Sequence, residues 1–435
     1  MKSVKQRLEG RALPVVVLTL FVDILGIGIL FPVLPQLIYK IFEPAGHTFN
    51  GSLIMLGWLI AIYPLMMFFA TPILGQLSDR YGRKPILALS LFGTAVGYVI
   101  FATGILTQNI LLLFIGRALD GITGGNISVA RAVIADVSAP EHRARNFGLI
   151  GAAFGVGFVV GPYIGARLAS PDTSFFGLFQ TPHWFDASTP FWFTAALALI
   201  NMSMILIVLT ETHRHINKAL RVTWTKSLHN IRKAATRPAL RVLFTAEFFF
   251  WSGFTFFTTF FQVWLVQKLH FTTSSVGDFF AYIGICIALN QVLIMPFVVK
   301  RWKSHTVLRV SLIGNGLALF IQLWASNTTE LLLTAPFIAV FNGLTMANSS
   351  AVVSLSANKQ EQGELLGIEA SVQALAQSVP AAISGYVATM GVGMPVIVGG
   401  CTIIAGGVIY NIFYRVPKNM AALKIGNKKV PEAAG

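Results

Sequence analysis

The sequence predicts an all-α integral membrane protein with twelve transmembrane helices in two pseudo-symmetric six-helix bundles. Three observations carry that prediction. Apolar residues make up 55% of the 435 positions and charged residues only 11%, against roughly 25% charged residues in a soluble globular chain. The apolar positions gather into twelve long runs, enough for spans of about 20 residues each. Finally, Lys and Arg (32, against 17 Asp and Glu) are sorted by side. With the N-terminus placed inside, 27 fall in inner segments, while only Lys40, Arg167 and Lys268 fall outside. That bias makes both termini cytoplasmic by the positive-inside rule.

The runs cover 12–38, 52–76, 85–106, 109–137, 146–170 and 188–210, then 239–267, 274–300, 304–326, 329–354, 364–390 and 393–416. They divide the chain into an N-terminal bundle (1–210), a basic cytoplasmic linker (211–238), a C-terminal bundle (239–416) and a cytoplasmic tail (417–435). The first run is too long for the apolar region of a cleaved signal peptide and no small-residue cleavage site follows it. Cys286 and Cys401 both lie in apolar runs, which excludes a disulfide scaffold. A pI near 10.0 invites nucleic acid, but the surplus charge is the positive-inside signal, so no nucleic-acid partner is expected.

Ionisable groups inside spanning helices are costly and become functional candidates by default. Helix one carries Asp23 about 11 residues, or about 16 Å, into its run. Desolvation at that depth favours the neutral acid and a nearby cation favours the charged one, so this carboxyl is suited to carrying a proton. Between helices two and three the chain reads Gly75-Gln-Leu-Ser-Asp79-Arg80-Tyr-Gly82-Arg83-Lys84-Pro85. The glycines permit a tight inner loop, and Asp79 can accept bonds from a helix N-terminus or an arginine. Such a loop can latch two bundles in one state and release them in another.

On helix four, Arg117, Asp120, Gly124, Ser128 and Arg131 rotate to within about 80° of one another. Arg117 and Asp120 are three apart and can pair, either as a static ion pair or as a switch that protonation of an acid releases. Arg131 lies about 21 Å further along, toward the inner mouth, and Asn126 between them is a further candidate substrate contact. Helix five spaces Gly157, Gly161 and Gly165, with Gly151 and Gly155 before them, for close helix approach. Pro162 permits a kink there.

The outer loop at about 171–187 is aromatic (Phe175, Phe176, Phe179, Trp184, Phe185) and carries no assignable role. In the linker, Leu220, Trp224, Leu228 and Ile231 follow helical spacing, as for a helix on the inner leaflet or a plain tether. The second half offers Glu247 on helix seven with Gln262 nearby, Asn342, Thr345 and Ser349 on one face of helix ten, and Glu369 on helix eleven. Glu247 holds roughly the place in its half that Asp23 holds in the first, as an internal repeat would have it. No phosphate-binding loop, His-Glu-x-x-His or paired-Cys spacing occurs, so neither an enzyme nor a cofactor is expected.

The loop at Gly75–Pro85 resembles the inner-loop signature of the major facilitator superfamily. Gly116-Arg117-Ala-Leu-Asp120-Gly121 through Ile134-Ala135-Asp136 resembles the helix-four signature of its twelve-helix drug:proton antiporter branch. Gly157-x-x-x-Gly161-Pro162-Tyr163-Ile164-Gly165 resembles the helix-five antiporter motif, and helix one, Phe21-Val-Asp23-Ile-Leu-Gly26-Ile-Gly28 leading to Pro32 and Pro35, is similar to the tetracycline-efflux proteins. The resemblance thins in the second half. The inner-loop signature has decayed there to Pro296-Phe-Val-Val-Lys300-Arg301, and Asn315 stands where tetracycline pumps carry a ninth-helix acid.

The resemblance implies the major facilitator fold, with helices one, four, seven and ten around a central cavity. It further implies a monomer in a bacterial inner membrane, and helix five meeting helix eight across the bundle interface as a gate. The reading is then a proton-coupled secondary transporter that moves a small organic solute, most simply a drug or metabolite exporter. Asp23, Arg117, Asp120, Glu247 and Glu369 would couple protons. Arg117, Arg131, Asn126, Gln262, Asn342 and Ser349 would bind substrate. Gly75, Asp79, Arg80, Gly82, Arg83, Asp136, Gly157, Gly161, Pro162 and Gly165 would gate. Arginines 117 and 131 facing one cavity instead suit a polycarboxylate such as a siderophore. A non-transporting membrane scaffold or sensor is the alternative from another class.

Overall fold

The computed structural model describes residues 4–138, 142–175, 177–213, 222–236, 238–355 and 362–415. Leu220 and Arg221 of the linker pattern, Phe176 of the outer loop and the tail 417–435 lie outside the described residues. The first half consists of α1 (Val4–Leu37), α2 (Phe49–Tyr81), α3 (Arg83–Leu106), α4 (Ile110–Val137), α5 (Arg143–Leu168) and α6 (Thr189–Val208). The second consists of α7 (Pro238–Leu269), α8 (Thr273–Arg301), α9 (Ser304–Leu323), α10 (Thr328–Leu355), α11 (Gln362–Ala388) and α12 (Met394–Phe413). Among the described residues, eleven of these are long and apolar enough to cross a membrane. The remaining one, α11, has 27 residues and a more polar sequence that includes Gln373 and Gln377.

Local chemistry sets the ends. The Thr48 hydroxyl accepts from the Gly51 amide at the start of α2, Asn109 accepts from Leu112 at the start of α4, and Thr272 accepts from Ser275 at the start of α8; each supplies a partner for an amide that has none within its helix. A single residue, Gly82, separates α2 from α3, and its φ of +103° is open to glycine at little cost. Near its middle α4 tightens into a 3-10 turn at Gly124–Asn126. A π-helical turn at Ile38–Phe42 continues α1 beyond Leu37, and another at Asn290–Ile294 lies within α8. The outer loop forms a two-stranded hairpin, β1 (Ser174–Phe175) with β2 (Phe179–Gln180), whose Phe175 and Phe179 rings stack at 5.2 Å.

Within the first half α1 lies along α5, and α3 against α4 and α6; within the second α7 lies along α12, and α9 against α10 and α12. The two largest contacts between the halves are α2 with α11 and α5 with α8, as pseudo-twofold symmetry requires, and α1 adds smaller ones to α7 and α8. At the first, bare backbones touch: a Cβ on Gly57 would lie 2.8 Å from the Ala381 carbonyl, and one on Gly385 2.8 Å from Ile54 Cα. At the second, a Cβ on Gly284 would lie 2.8 Å from Val159 Cα. These contacts, with the Phe31–Phe280 stack at 5.2 Å, lie in the parts of the helices remote from the linker. Toward the linker end, Gly151 and Gly155 of α5 and Gly367 of α11 have no neighbour within 4 Å of where a Cβ would stand. The halves therefore meet at one end and part at the other.

The helix-five glycines correct the expectation that they face helix eight. A Cβ on Gly165 would lie 2.7 Å from Ile29 Cα and one on Gly161 3.0 Å from Gly28 Cα, so Gly157, Gly161 and Gly165 bed α5 onto α1 within the first half. Spacing identified a small face on α5 without saying which neighbour it served. The face toward α8 is instead carried by Val159, Pro162 and Ala166, against Gly277 and Gly284.

The linker contains a helix at Lys226–Thr236 that touches both halves. Ser227 donates to the Phe68 carbonyl of α2, and Asn230 donates to Ser371 Oγ of α11 at 3.0 Å. Just before it, the Gln76 amide pairs with the backbone of Thr223 through both its groups, at 2.9 and 3.3 Å. Neither a plain tether nor a helix resting only on the leaflet describes it: it is a strap across the joint.

Candidate functional site: two buried carboxyl clusters

The first cluster is built by α1, α2, α3 and α4. Arg117 and Asp120, one turn apart on α4, form an ion pair at 2.9 Å with side chains 6% and 5% exposed. Tyr63 of α2 lies under the Arg117 guanidinium, 4.5 Å from ring centre to Cζ, where the ring face attracts the cation. Tyr98 of α3 faces Asp120 from the other side. Its hydroxyl abuts Gly26 of α1, where a side chain would collide. Asp23 is 5% exposed, with Asp120 and Asn126 as its charged and polar neighbours, and its Oδ2 has no hydrogen-bond partner. Asn126, in the 3-10 turn, is wholly buried and both its side-chain polar atoms lack partners. Such atoms cost free energy unless a proton, water or ligand joins them.

The second cluster is built by α7, α10 and α11. Glu247 is 3% exposed; its Oε1 accepts a hydrogen bond from Ser349 and its Oε2 has no partner. Glu369 is its electrostatic neighbour and accepts from Ser350 at 2.8 Å. Arg131 of α4 interacts with Glu369 across the gap between the halves. Gln262 is buried, donating to the Thr259 carbonyl at 2.7 Å and leaving its Oε1 without a partner; Asn342 likewise keeps an unpartnered Nδ2.

Not all of the helix-four face looks into the space between the halves. Ser128 donates to the Thr71 carbonyl of α2 at 3.0 Å, and a Cβ on Gly124 would lie 2.6 Å from the Tyr63 hydroxyl. The 3-10 turn rotates this stretch toward α2, which a uniform 100° step does not anticipate.

The inner-loop residues form their own network. Arg83 pairs with Asp79 at 2.6 Å and with Asp136 of α4 at 3.3 Å, while Arg80 stacks over Tyr81 at 5.1 Å; Gly75 faces Ser128 with room for a Cβ, 3.6 Å from its Oγ. Glu211, where α6 gives way to the linker, accepts from the backbone amides of Arg83 at 2.9 Å and Lys84 at 3.1 Å. It thus caps α3 from a point far along the chain. The partners of this loop, among the described residues, lie in the first half and in the linker, at Glu211, Thr212 and Thr223. Among the described residues it makes no direct contact with the second half, as a latch would in its released state.

Sequence reasoning did not single out Tyr63, Tyr98 or Glu211. An aromatic in an apolar run carries no signal of the cation it will face, and a cap 128 positions away has no local signature.

The Major Facilitator Superfamily profile matches residues 16–381. Among curated proteins, the class H tetracycline resistance protein of Pasteurella multocida is 27% identical over 82% of this chain and 84% of its own length. Among solved structures, the human organic anion transporter MFSD10 superposes with a TM-score of 0.70 at 21% identity, covering 92% of this chain and 99% of its own. A D-xylose-proton symporter superposes with a TM-score of 0.71 at 15% identity, covering 95% and 99%. Both of these solved structures are of transport proteins. With that profile over most of its length and a two-bundle membrane fold, this chain belongs to the Major Facilitator Superfamily and has the fold of its small-molecule transporters.

Proposed function

We propose that the protein exchanges protons for a small organic solute by alternating access, exporting the solute as a monomer, with the linker end cytoplasmic. The observation that carries this reading is the matched placement of Asp23 on α1 and Glu247 on α7. Each is buried, each keeps one carboxyl oxygen without a partner, and each has a second acid beside it. A carboxyl in such a place alternates between a neutral state and a charged state that needs a counter-cation. Arg117 serves the first cluster and Arg131 reaches the second. Protonation of Asp23 or Asp120 would free Arg117 to meet substrate, and Asn126, Gln262, Asn342 and Ser349 supply neutral polar contacts.

The Arg83 network and the α5 face toward α8 would set the conformational exchange. The likeness to tetracycline resistance proteins supports export, while the wholly buried amide of Asn315, in place of an acid, argues against tetracycline itself. The test is purified protein in liposomes with an internal pH dye, challenged with lipophilic cations, neutral tetracycline-like compounds and polycarboxylates. A dye response to one class supports the reading, and silence from folded protein across all three contradicts it.

One observation favours a second reading. Arg131 sits half-buried where the halves part, and the structurally similar human protein is an organic anion transporter. An anionic substrate there would compete with Glu369 for Arg131. Arg131→Gln should then weaken transport of anionic solutes far more than neutral ones; equal loss for both would sink this alternative.

A further inference from the structure

The linker helix, α7 and α11 enclose an apolar groove of about 220 Å³ on the outside of the bundle. Ile231 and Ala234 line it from the linker helix, Phe244 and Phe248 from α7, and Val372 and Leu375 from α11. Its one charged lining residue is Arg241, which is exposed. Positions 241, 244 and 248 are three and four apart, so they form a single stripe on α7. Arg241 stands at the linker end of that stripe, with the two phenyl rings deeper along the helix.

The exposed side of the linker helix continues the pattern. Trp224 is 71% exposed and Leu228 56% exposed, and Arg232 is exposed beside them. Two large apolar side chains next to a cation, on a strapped helix and the turn that leads into it, suit the boundary between headgroups and acyl chains.

We propose that this groove holds an anionic phospholipid of the linker-side leaflet. One acyl chain would lie between Phe244, Phe248 and Leu375, with the phosphate at Arg241 and within reach of Arg232. Charge complementarity selects this occupant over a zwitterionic lipid: Arg241 lines the groove, Arg232 is exposed on the adjoining linker helix, and among the described residues no acid lines the groove to hold a choline cation. The groove abuts Ala234, one turn from Asn230, which anchors the strap to α11. A lipid there would therefore press on the element that bridges the two halves.

The test is native mass spectrometry of the full-length chain titrated with phosphatidylglycerol or phosphatidylcholine. Wild type should retain phosphatidylglycerol in preference to phosphatidylcholine, and Arg241→Gln should weaken that binding about five-fold, the effect of one cation at a lipid surface. Ala235→Trp, which fills the groove from an exposed position without removing a charge, should weaken it at least as much. Arg301→Gln, at an exposed cation on α8, should leave it unchanged. Equal retention of both lipids by wild type, or binding to Arg241→Gln and Ala235→Trp like that to wild type, would overturn the proposal.

Discussion

The two halves share an architecture and balance their buried charges differently. In the first, Arg117 and Asp120 neutralise one another on a single helix, with Tyr63 and Tyr98 holding the pair from α2 and α3. In the second, Glu247 and Glu369 face each other with serine hydroxyls for company, and the cation they see, Arg131, belongs to the first half. The first cluster is thus self-contained, whereas the balance of the second depends on how close the halves stand. A rocking motion that moves α4 relative to α11 would change the environment of the second cluster while leaving the first intact. If the protein is proton-coupled as proposed, that asymmetry would tie protonation of the second cluster to conformation.

The sharpest way to break the comparison is to remove one charged group from each cluster in turn. Arg117→Gln leaves Asp120 buried without its partner and should destabilise the protein by about 3–5 kcal/mol, read as a loss of denaturation midpoint in detergent. Glu369→Gln, at a half-buried site between halves, should cost under about 1 kcal/mol and act chiefly on conformational exchange. Equal losses would erase the distinction between the clusters.

The α1–α5 contact offers the next largest effect. Gly28→Val places a branched side chain where a Cβ alone would meet Pro162 Cδ at 2.9 Å, an overpacking worth about 1–3 kcal/mol. Gly155→Ala, with nothing nearby, should instead be neutral or stabilise by about 0.5–1 kcal/mol through helix propensity. Had the helix-five glycines been a gate toward α8, Gly155→Ala would impair transport without touching stability.

Glu211→Ala removes the cap of α3 and should cost about 1 kcal/mol, visible as faster hydrogen exchange at Arg83 and Lys84. The smallest effect belongs to the end remote from the linker, where Arg167 of α5 meets Asp278 of α8 at 2.8 Å and Gln36 donates to Thr273 at 2.7 Å. Arg167→Gln should shift the population toward opening at that end by about five-fold at most, since the pair is partly exposed. Distances between spin labels at positions 40 and 268 would report it.

The twelve helices were legible because membrane spans announce themselves by length and apolarity, and no tertiary information is needed to see them. The Arg117–Asp120 pair was legible because it is local to one helix, and an arginine partner for Asp79 because Arg83 lies four residues on, just past the tight turn at Gly82. What stayed hidden depended on partners distant in sequence. The glycines of α5 revealed a small face but not that α1 fills it, and the strap at Ser227 and Asn230 looked like an amphipathic helix or a tether. The turn at Gly124–Asn126 was visible as a glycine pair, yet its consequence, the rotation of Ser128 onto Thr71, required the neighbouring helix.

The central claim, that this transporter moves protons through Asp23, is tested most directly by comparing wild type with Asp23→Asn in liposomes holding an internal pH dye, once a responsive solute class is known. An outward solute gradient should drive dye-reported proton movement in wild type and none in Asp23→Asn, while solute–solute exchange without net proton flux persists in the variant. Proton movement in Asp23→Asn equal to that of wild type would contradict the account.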